Sequence, residues 1–102
     1  MKIKPMNEKE FYKCVDKICE IEGISREYFL ESAENNFDSP EDGRIAGWAK
    51  FMQNDYNWTN EFTIAFAKRL EMELIKAAKP WATDETIRVS DYDKMYEKRI
   101  NF

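Results

Sequence analysis

The two cysteines are the first candidates for chemistry in this sequence. Cys14 and Cys19 lie five residues apart on one expected helix and could serve as metal ligands or form a disulfide. A structural zinc site needs four ligands, and because the chain contains no histidine, carboxylates would have to complete it. We therefore expect two small, partly buried free thiols and no metal site.

The acidic side chains are the next candidates. Glu71 and Glu73, like Asp91 and Asp93, lie two residues apart, which places the members of each pair on different sides of a helix. We expect these four carboxylates to be solvated surface charges. The chain has no histidine to act as a general base, and its three glycines form neither a phosphate-binding loop nor a nucleophile elbow. The sequence predicts no catalytic residues, no cofactor and no enzyme activity.

The composition favours one helical domain. With 102 residues, of which 43% are hydrophobic and 15% aromatic, the chain can build one hydrophobic core. Only three glycines and three prolines are present, too few for the turns of a many-stranded sheet. We predict an all-α fold, a compact single domain of about five helices around a long central helix.

Apolar residues at spacings of three and four locate the helices, and capping residues mark their starts. Asn7, Ser39 and Thr59 are expected N-caps, and Pro40 follows Ser39 at a first helical position. The fourth helix is the longest and carries its apolar residues on one broad face, so we expect it at the centre. The predicted helices span about residues 8–22, 26–36, 40–55, 60–79 and 91–100.

The segment after the fourth helix is ambiguous. Residues 83–85 could open one helical turn, whereas residues 86–89 alternate polar and apolar side chains like a short strand. We therefore predict a loop over residues 81–90. Ser90 and Asp93 have the spacing of a capping box and would start the last helix.

The sequence carries no sign of export or membrane insertion. No stretch approaches the roughly 20 apolar residues that span a bilayer, and the first ten residues contain no apolar signal-peptide core. We expect a cytoplasmic protein.

Acidic residues are concentrated in one segment. Residues 20–42 contain eight acids and one base, Arg26, giving a charge of −7 within a chain whose net charge is −4. This density repels nucleic acid and attracts a basic partner, although it is also typical of a solvated helix face that keeps a protein soluble. The residues predicted to bind a basic partner protein are Glu27, Glu31, Glu34, Asp38, Glu41 and Asp42.

Aromatic residues near the ends of the third and fourth helices form a second candidate surface. Tryptophan and tyrosine are enriched in binding hot spots, but they also cap the core of a small domain. The residues predicted to contact a partner on this basis are Trp48, Tyr56, Trp58 and Trp81.

The first two predicted helices also have the spacing of a helix-turn-helix. Residues 15–34 place Cys19 at the small position, Gly23 in the turn and Phe29 at a buried position. The exposed side of the second helix would be acidic, which opposes contact with phosphate. A DNA-binding regulator is therefore an alternative only, and we expect no direct contact with nucleic acid.

About a third of the chain resembles the immunity proteins of colicin nucleases, which are small acidic helical inhibitors. The resemblance rests on residues 7–11 (NEKEF) leading to Ile18 and Cys19, and on the acidic residues 31–42 with their Asp-Ser-Pro turn. It implies a protein that acts by binding another protein. The tyrosine-rich segment between the acidic helix and the Ser-Pro helix of that family has no counterpart here, so no inhibitory residue is carried over.

These patterns support three hypotheses of function. The first is a small acidic binding module, an inhibitor of the immunity, anti-restriction or anti-CRISPR type that occupies a basic nucleic-acid-binding surface of a phage or bacterial protein. The second is a structural subunit of a homo-oligomeric assembly such as a phage connector, which the broad apolar surface of the fourth helix would favour. The third is the helix-turn-helix regulator.

Overall fold

The described residues of the computed structural model, 2–37, 44–89 and 91–94, contain four α-helices and no strand. A further helical stretch begins at Tyr92 and is described as far as Lys94. The all-α fold around a long central helix is confirmed. The helices are α1 (Glu8–Glu22), α2 (Arg26–Phe37), α3 (Arg44–Tyr56) and α4 (Asn60–Ala78).

Polar side chains and one glycine set the helix ends. The Asn7 side chain accepts a hydrogen bond from the Glu10 amide at 2.8 Å, and the Thr59 hydroxyl accepts one from the Phe62 amide at 3.2 Å, which satisfies a free amide in each first turn. α1 ends at Gly23, whose φ of 67° is left-handed and strained for other residues. The Ser25 hydroxyl then accepts from the Tyr28 amide at 3.0 Å and starts α2.

Two expected helix starts cannot be compared with the structure. Ser39 and Pro40, which would begin the third helix, lie outside the described residues, as do Ser90 and most of the predicted last helix. The capping box of Ser90 and Asp93 therefore stays a prediction. The Asp93 carboxylate also accepts hydrogen bonds from the Lys68 ammonium at 2.5 Å and from the Ile3 amide at 3.2 Å, which the sequence did not predict.

α4 lies at the centre and packs against α1, α2 and α3. Its Phe66 is fully buried and contacts Phe11 of α1 and Phe29 of α2, at ring-centroid distances of 5.0 and 6.4 Å. Such aromatic pairs contribute about 0.5–1.5 kcal/mol beyond the area they bury. The core therefore forms around the middle of α4.

The expectation that α4 buries one face is too narrow, and the expectation that Glu71 and Glu73 are solvated is wrong. All residues from Thr63 to Leu74 are buried except the half-buried Ala65. Glu71 and Glu73 are only 4% and 7% exposed. A burial of all sides over three turns requires other parts of the chain to cover the polar side of the helix.

The N-terminal segment and residues 84–89 and 91–93 contribute to that cover. The Met6 amide donates to the Ala65 carbonyl at 3.0 Å, while the Arg69 Nε donates to the Met6 carbonyl at 2.5 Å. Lys68 donates to the Ile3 carbonyl at 2.6 Å and pairs with Asp93. Charged residues of α4 thus hold both flanking segments, which a search for apolar faces does not reveal.

Residues 81–89 form turns without a strand, in agreement with their treatment as a loop. The amides of Thr86 and Ile87 donate to the Thr83 carbonyl at 3.0 and 3.1 Å, so one helical turn forms there. Ile87 is 8% exposed and anchors the turn. None of the described helices is both long enough and apolar enough to cross a membrane.

Candidate protein-binding surfaces

The first candidate surface is a row of three glutamates on α2. Glu27, Glu31 and Glu34 are separated by four and three residues, and at 3.6 residues per turn this spacing places them along one side of the helix. All three are exposed, as the sequence predicts. The structure therefore brings these predicted residues together; Asp38, Glu41 and Asp42 lie outside the described residues.

The glutamate row borders a cleft of about 300 Å³ between α1, α2 and α4, which we call the acidic cleft. Tyr12, Leu30, Leu74 and Ala77 supply its mainly apolar walls, and the buried carboxylate of Glu73 also lines it. The cleft combines an apolar surface with three carboxylates on one side. Such a surface suits a lysine or arginine side chain, because the alkyl stem packs on apolar atoms while the cation reaches the carboxylates.

The three glutamates form no ion pair with any described residue. Like charges four residues apart destabilise a helix by about 0.2–0.5 kcal/mol. Glu27 lies in the first turn, where the helix dipole favours a negative charge, but Glu34 lies near the C-terminal end, where the dipole opposes it. The stability of α2 therefore does not explain why three glutamates stand in this row.

Arg26, the one base in this acidic segment, is paired with Asp16 of α1. Its Nη2 donates to both carboxylate oxygens of Asp16, at 2.9 and 2.8 Å, and its Nε donates at 3.0 Å. Its guanidinium also lies 4.7 Å from the centre of the Tyr12 ring. The hydrogen bonds to Asp16 raise the pKa of Arg26, and Arg26 forms no ion pair with the three glutamates.

A network of paired charges lies beneath the cleft. The Tyr12 hydroxyl donates to Glu73 Oε1 at 2.8 Å, and burial together with this bond raises the pKa of Tyr12 to about 12. Glu73 Oε2 also pairs with Arg69 at 3.3 Å and with Lys76 at 3.7 Å. Lys76 and Arg69 in turn pair with Asp84 at 2.5 and 3.2 Å, and their hydrogen bonds lower the pKa of Asp84. These charges neutralise one another.

The second candidate surface is a groove of about 250 Å³ between α1, α2 and α3, which we call the aromatic groove. It contains two of the four predicted aromatic residues, Trp48 and Tyr56. Trp48 packs on the buried Phe29 at a centroid distance of 5.0 Å. The groove is lined chiefly by Ile18, Phe29, Trp48, Phe51, Met52 and Tyr56.

Two exposed acids, Glu22 and Asp55, also line the aromatic groove. The Tyr56 hydroxyl donates to Glu22 Oε1 at 2.7 Å and so fixes the end of α1 against α3. Burial and this hydrogen bond raise the pKa of Tyr56 to about 12, which keeps the hydroxyl protonated and donating at neutral pH.

The other two predicted aromatic residues do not line the aromatic groove, although the Trp58 ring lies 5.9 Å from that of Tyr56. Trp58 is half-buried and packs on Phe62 and Phe66 at centroid distances of 4.9 and 5.0 Å, so it mainly extends the core. Trp81 is 78% exposed and lines a separate cavity of about 710 Å³ with Lys79 and Arg88. The structure therefore separates Trp81 from the aromatic groove.

Phe51, which no functional expectation included, is 71% exposed and lines the aromatic groove. The position of Phe51 on α3 could have indicated this exposure. Phe51 follows the buried Ile45 by six residues, and at 3.6 residues per turn its side chain points about 120° away from that of Ile45. An apolar residue so far from the buried face of its helix is a candidate for contact with another molecule.

The two cysteines are free, as expected, with Cys14 half-buried and Cys19 buried. Burial raises the pKa of Cys14 to about 11, so its thiol is protonated and weakly nucleophilic at neutral pH. Among the described residues, no group of three or more cysteine, aspartate or glutamate side chains is arranged to hold a metal ion.

The chain matches no protein-family model, no curated protein and no solved structure. The acidic cleft and the aromatic groove are therefore the features on which a function is inferred.

Proposed function

We propose that the protein is a binding module whose acidic cleft docks a basic segment of another protein. The observation that carries this proposal is the exposed, unpaired row of Glu27, Glu31 and Glu34 beside apolar walls. A lysine or arginine from a partner would replace water at carboxylates that have no partner among the described residues. Its association would be accelerated by the acidic field and weakened by salt.

The partner surface that fits best is one that also binds nucleic acid. Phosphates and glutamates recruit the same lysine and arginine side chains, so a protein that occupies them with carboxylates excludes the nucleic acid. This is the mode of an inhibitor of the immunity, anti-restriction or anti-CRISPR type. Binding alone suffices for such an inhibitor, and no catalytic step is proposed.

The test compares two triple variants that change the net charge equally. One carries Glu27→Gln, Glu31→Gln and Glu34→Gln; the control carries the same change at three exposed acids elsewhere, Glu10, Glu61 and Glu85. Tagged forms of the wild type and both variants are used to capture partners from the cells that produce the protein, and captured proteins are identified by mass spectrometry.

We expect a protein with a basic nucleic-acid-binding surface to be captured by the wild type and the control but not by the cleft variant. The association rate with the purified partner should fall with salt, and the cleft variant should flatten that dependence more than the control does. Equal loss of capture in both variants would show that only overall charge matters. Capture that the cleft variant leaves unchanged would refute the proposal.

A further inference from the structure

We propose that the aromatic groove is a second docking surface, which takes an apolar side chain from a basic amphipathic helix of a partner protein. This inference goes beyond the acidic cleft, because it concerns different residues and a different kind of contact. It rests on three observations: the exposure of Phe51, the fixed positions of the side chains that form the walls of the groove, and the charges beside the groove.

The groove exposes apolar surface that the described chain does not cover. Phe51 is 71% exposed. A second cavity of about 220 Å³ shares Ile18 and Tyr56 with the groove and adds Cys14, Lys17, Ile21 and Trp58. Ile21 is 59% exposed. The apolar surface therefore continues from α3 across to α1. Contiguous exposed apolar surface of this kind marks sites of contact with other molecules.

The walls of the groove are held in place before any partner binds. The Trp48 ring packs on Phe29, which is 2% exposed, and the Tyr56 hydroxyl is bonded to Glu22. Fixed aromatic walls lose little conformational entropy when a side chain enters between them, which is a property of binding hot spots. Phe51, which is 71% exposed beside these walls, is available to contact the ligand.

The charges beside the groove decide between possible occupants. The described lining of the groove itself contains two acids, Glu22 and Asp55, and no lysine or arginine, while Lys17 lies in the neighbouring cavity on α1. In a symmetric contact, a second copy of this chain would bring the same two carboxylates against them, which is unfavourable. A helix with lysine or arginine beside its apolar stripe meets opposite charges instead. Grooves between helices commonly bind such a helix by its apolar anchors.

The groove and the acidic cleft lie on different sides of α2. Phe29 and Ser32 of α2 line the groove, whereas Glu27, Leu30, Glu31 and Glu34 line the cleft. At 3.6 residues per turn, Phe29 points roughly opposite to the glutamate row. The two surfaces can therefore be tested separately.

The probe is a synthetic amphipathic helix of about four turns, with leucine along the apolar stripe and lysine at the other positions. One control peptide has alanine in place of leucine and keeps the charge; another has glutamate in place of lysine and keeps the stripe. Affinities are measured by fluorescence anisotropy of the labelled peptides, and the contact surface is located by amide chemical-shift changes.

The protein variants are Phe51→Ala and, as a control, Trp81→Ala. Both remove a highly exposed aromatic side chain, so both should fold, but Trp81 lies outside the groove. The triple variant of Glu27, Glu31 and Glu34 is measured alongside them. It separates this inference from the proposed function of the cleft.

We expect the leucine peptide to bind about tenfold more tightly than the alanine peptide, since burial of one leucine suffices for that ratio. Phe51→Ala should remove most of this preference for the leucine peptide, whereas Trp81→Ala and the triple variant of Glu27, Glu31 and Glu34 should preserve it. The peptide with glutamate in place of lysine should bind most weakly. Amide shifts should centre on Glu22, Phe51 and Asp55.

Equal affinity for the leucine and alanine peptides would overturn the inference, as would equal effects of Phe51→Ala and Trp81→Ala. Tight binding of the glutamate peptide would overturn the assignment of a basic partner. Analytical ultracentrifugation of the free protein tests whether a second copy of the chain occupies the groove. A dimer that Phe51→Ala dissociates would overturn the proposal in favour of such a dimer, and a monomer supports the proposal.

Discussion

α2 and α4 both carry many charged residues, but these residues differ in burial and in pairing. The charges of α4 at Lys68, Arg69 and Glu73 are almost fully buried, and each has a hydrogen-bonded partner of opposite charge. Those of α2 at Glu27, Glu31 and Glu34 are exposed, and they have no partner among the described residues. Burial makes a charge depend on its partner, whereas exposure leaves it available to another molecule.

This difference separates residues that maintain the fold from residues that are candidates for function. Removing a charge from the α4 network takes an opposite charge away from groups that are buried or partly buried, so the cost falls on stability. Removing a charge from the α2 row leaves nothing unpaired, so the cost should fall on binding. Variants in the two helices can therefore contradict or sharpen the comparison.

The largest expected effect is that of Arg69→Leu. Arg69 is 5% exposed and donates to the Met6 carbonyl, Glu73 and Asp84, so its loss leaves the Glu73 carboxylate and a buried carbonyl short of donors. We expect a loss of about 3–5 kcal/mol in the free energy of unfolding, measured by urea denaturation.

The control for this variant is Arg26→Leu, which removes an exposed arginine that also has a carboxylate partner. The Arg26 and Asp16 side chains are 49% and 55% exposed, so the change should cost less than about 1 kcal/mol. Adding Glu73→Leu to Arg69→Leu should restore part of the lost stability, because the buried carboxylate that lost its arginine is removed as well. Equal losses for the two arginine variants would contradict the distinction between the helices.

A smaller effect is expected for Tyr12→Phe. This change removes only the hydroxyl that donates to Glu73, and the loss of one hydrogen bond to a buried carboxylate should cost about 1–2 kcal/mol. Tyr28→Phe is the matched control, since Tyr28 is 59% exposed and its hydroxyl has no hydrogen bond to a described residue; it should change stability by less than about 0.5 kcal/mol.

The same bond predicts an alkaline limit of stability. The pKa of Tyr12 is raised to about 12 in the folded protein from about 10 in the unfolded chain. A raised pKa stabilises the fold while the hydroxyl is protonated, so this contribution is complete below about pH 10 and is lost as the pH rises towards 12. The difference in stability between wild type and Tyr12→Phe should shrink over that range, and a constant difference would contradict the assignment.

The helices could be predicted because their signals are local. Capping by Asn7 and Thr59, the left-handed Gly23 and the spacing of apolar residues all act within a few positions of the chain. The exposed row on α2 could be predicted for the same reason, since the direction of a side chain on a helix follows from its position alone.

The burial of charge on α4 could not be predicted in this way. Lys68 is only 2% exposed because Asp93 and the Ile3 carbonyl, 25 and 65 residues away in the chain, meet its ammonium. Such pairings depend on where distant segments pack, which spacing within a helix does not encode. The separation of Trp81 from Trp48 and Tyr56 has the same origin.

The smallest expected effect on stability tests whether the α2 row is kept for binding. Glu34→Lys and Glu27→Lys remove the same charge and place lysine three or four residues from Glu31, so their pair interactions are similar. They differ at the helix dipole: a lysine near the C-terminal end is favourable, and one in the first turn is not, by about 0.3–1 kcal/mol each. Each change also removes a glutamate that the dipole disfavours at position 34 and favours at position 27, so the two contributions add. Glu34→Lys should therefore be more stable than wild type, and Glu27→Lys less stable, by about 0.6–2 kcal/mol each in urea denaturation, while both variants bind a basic partner more weakly. A Glu34→Lys variant that gains stability and keeps its affinity would show that the row serves neither folding nor binding.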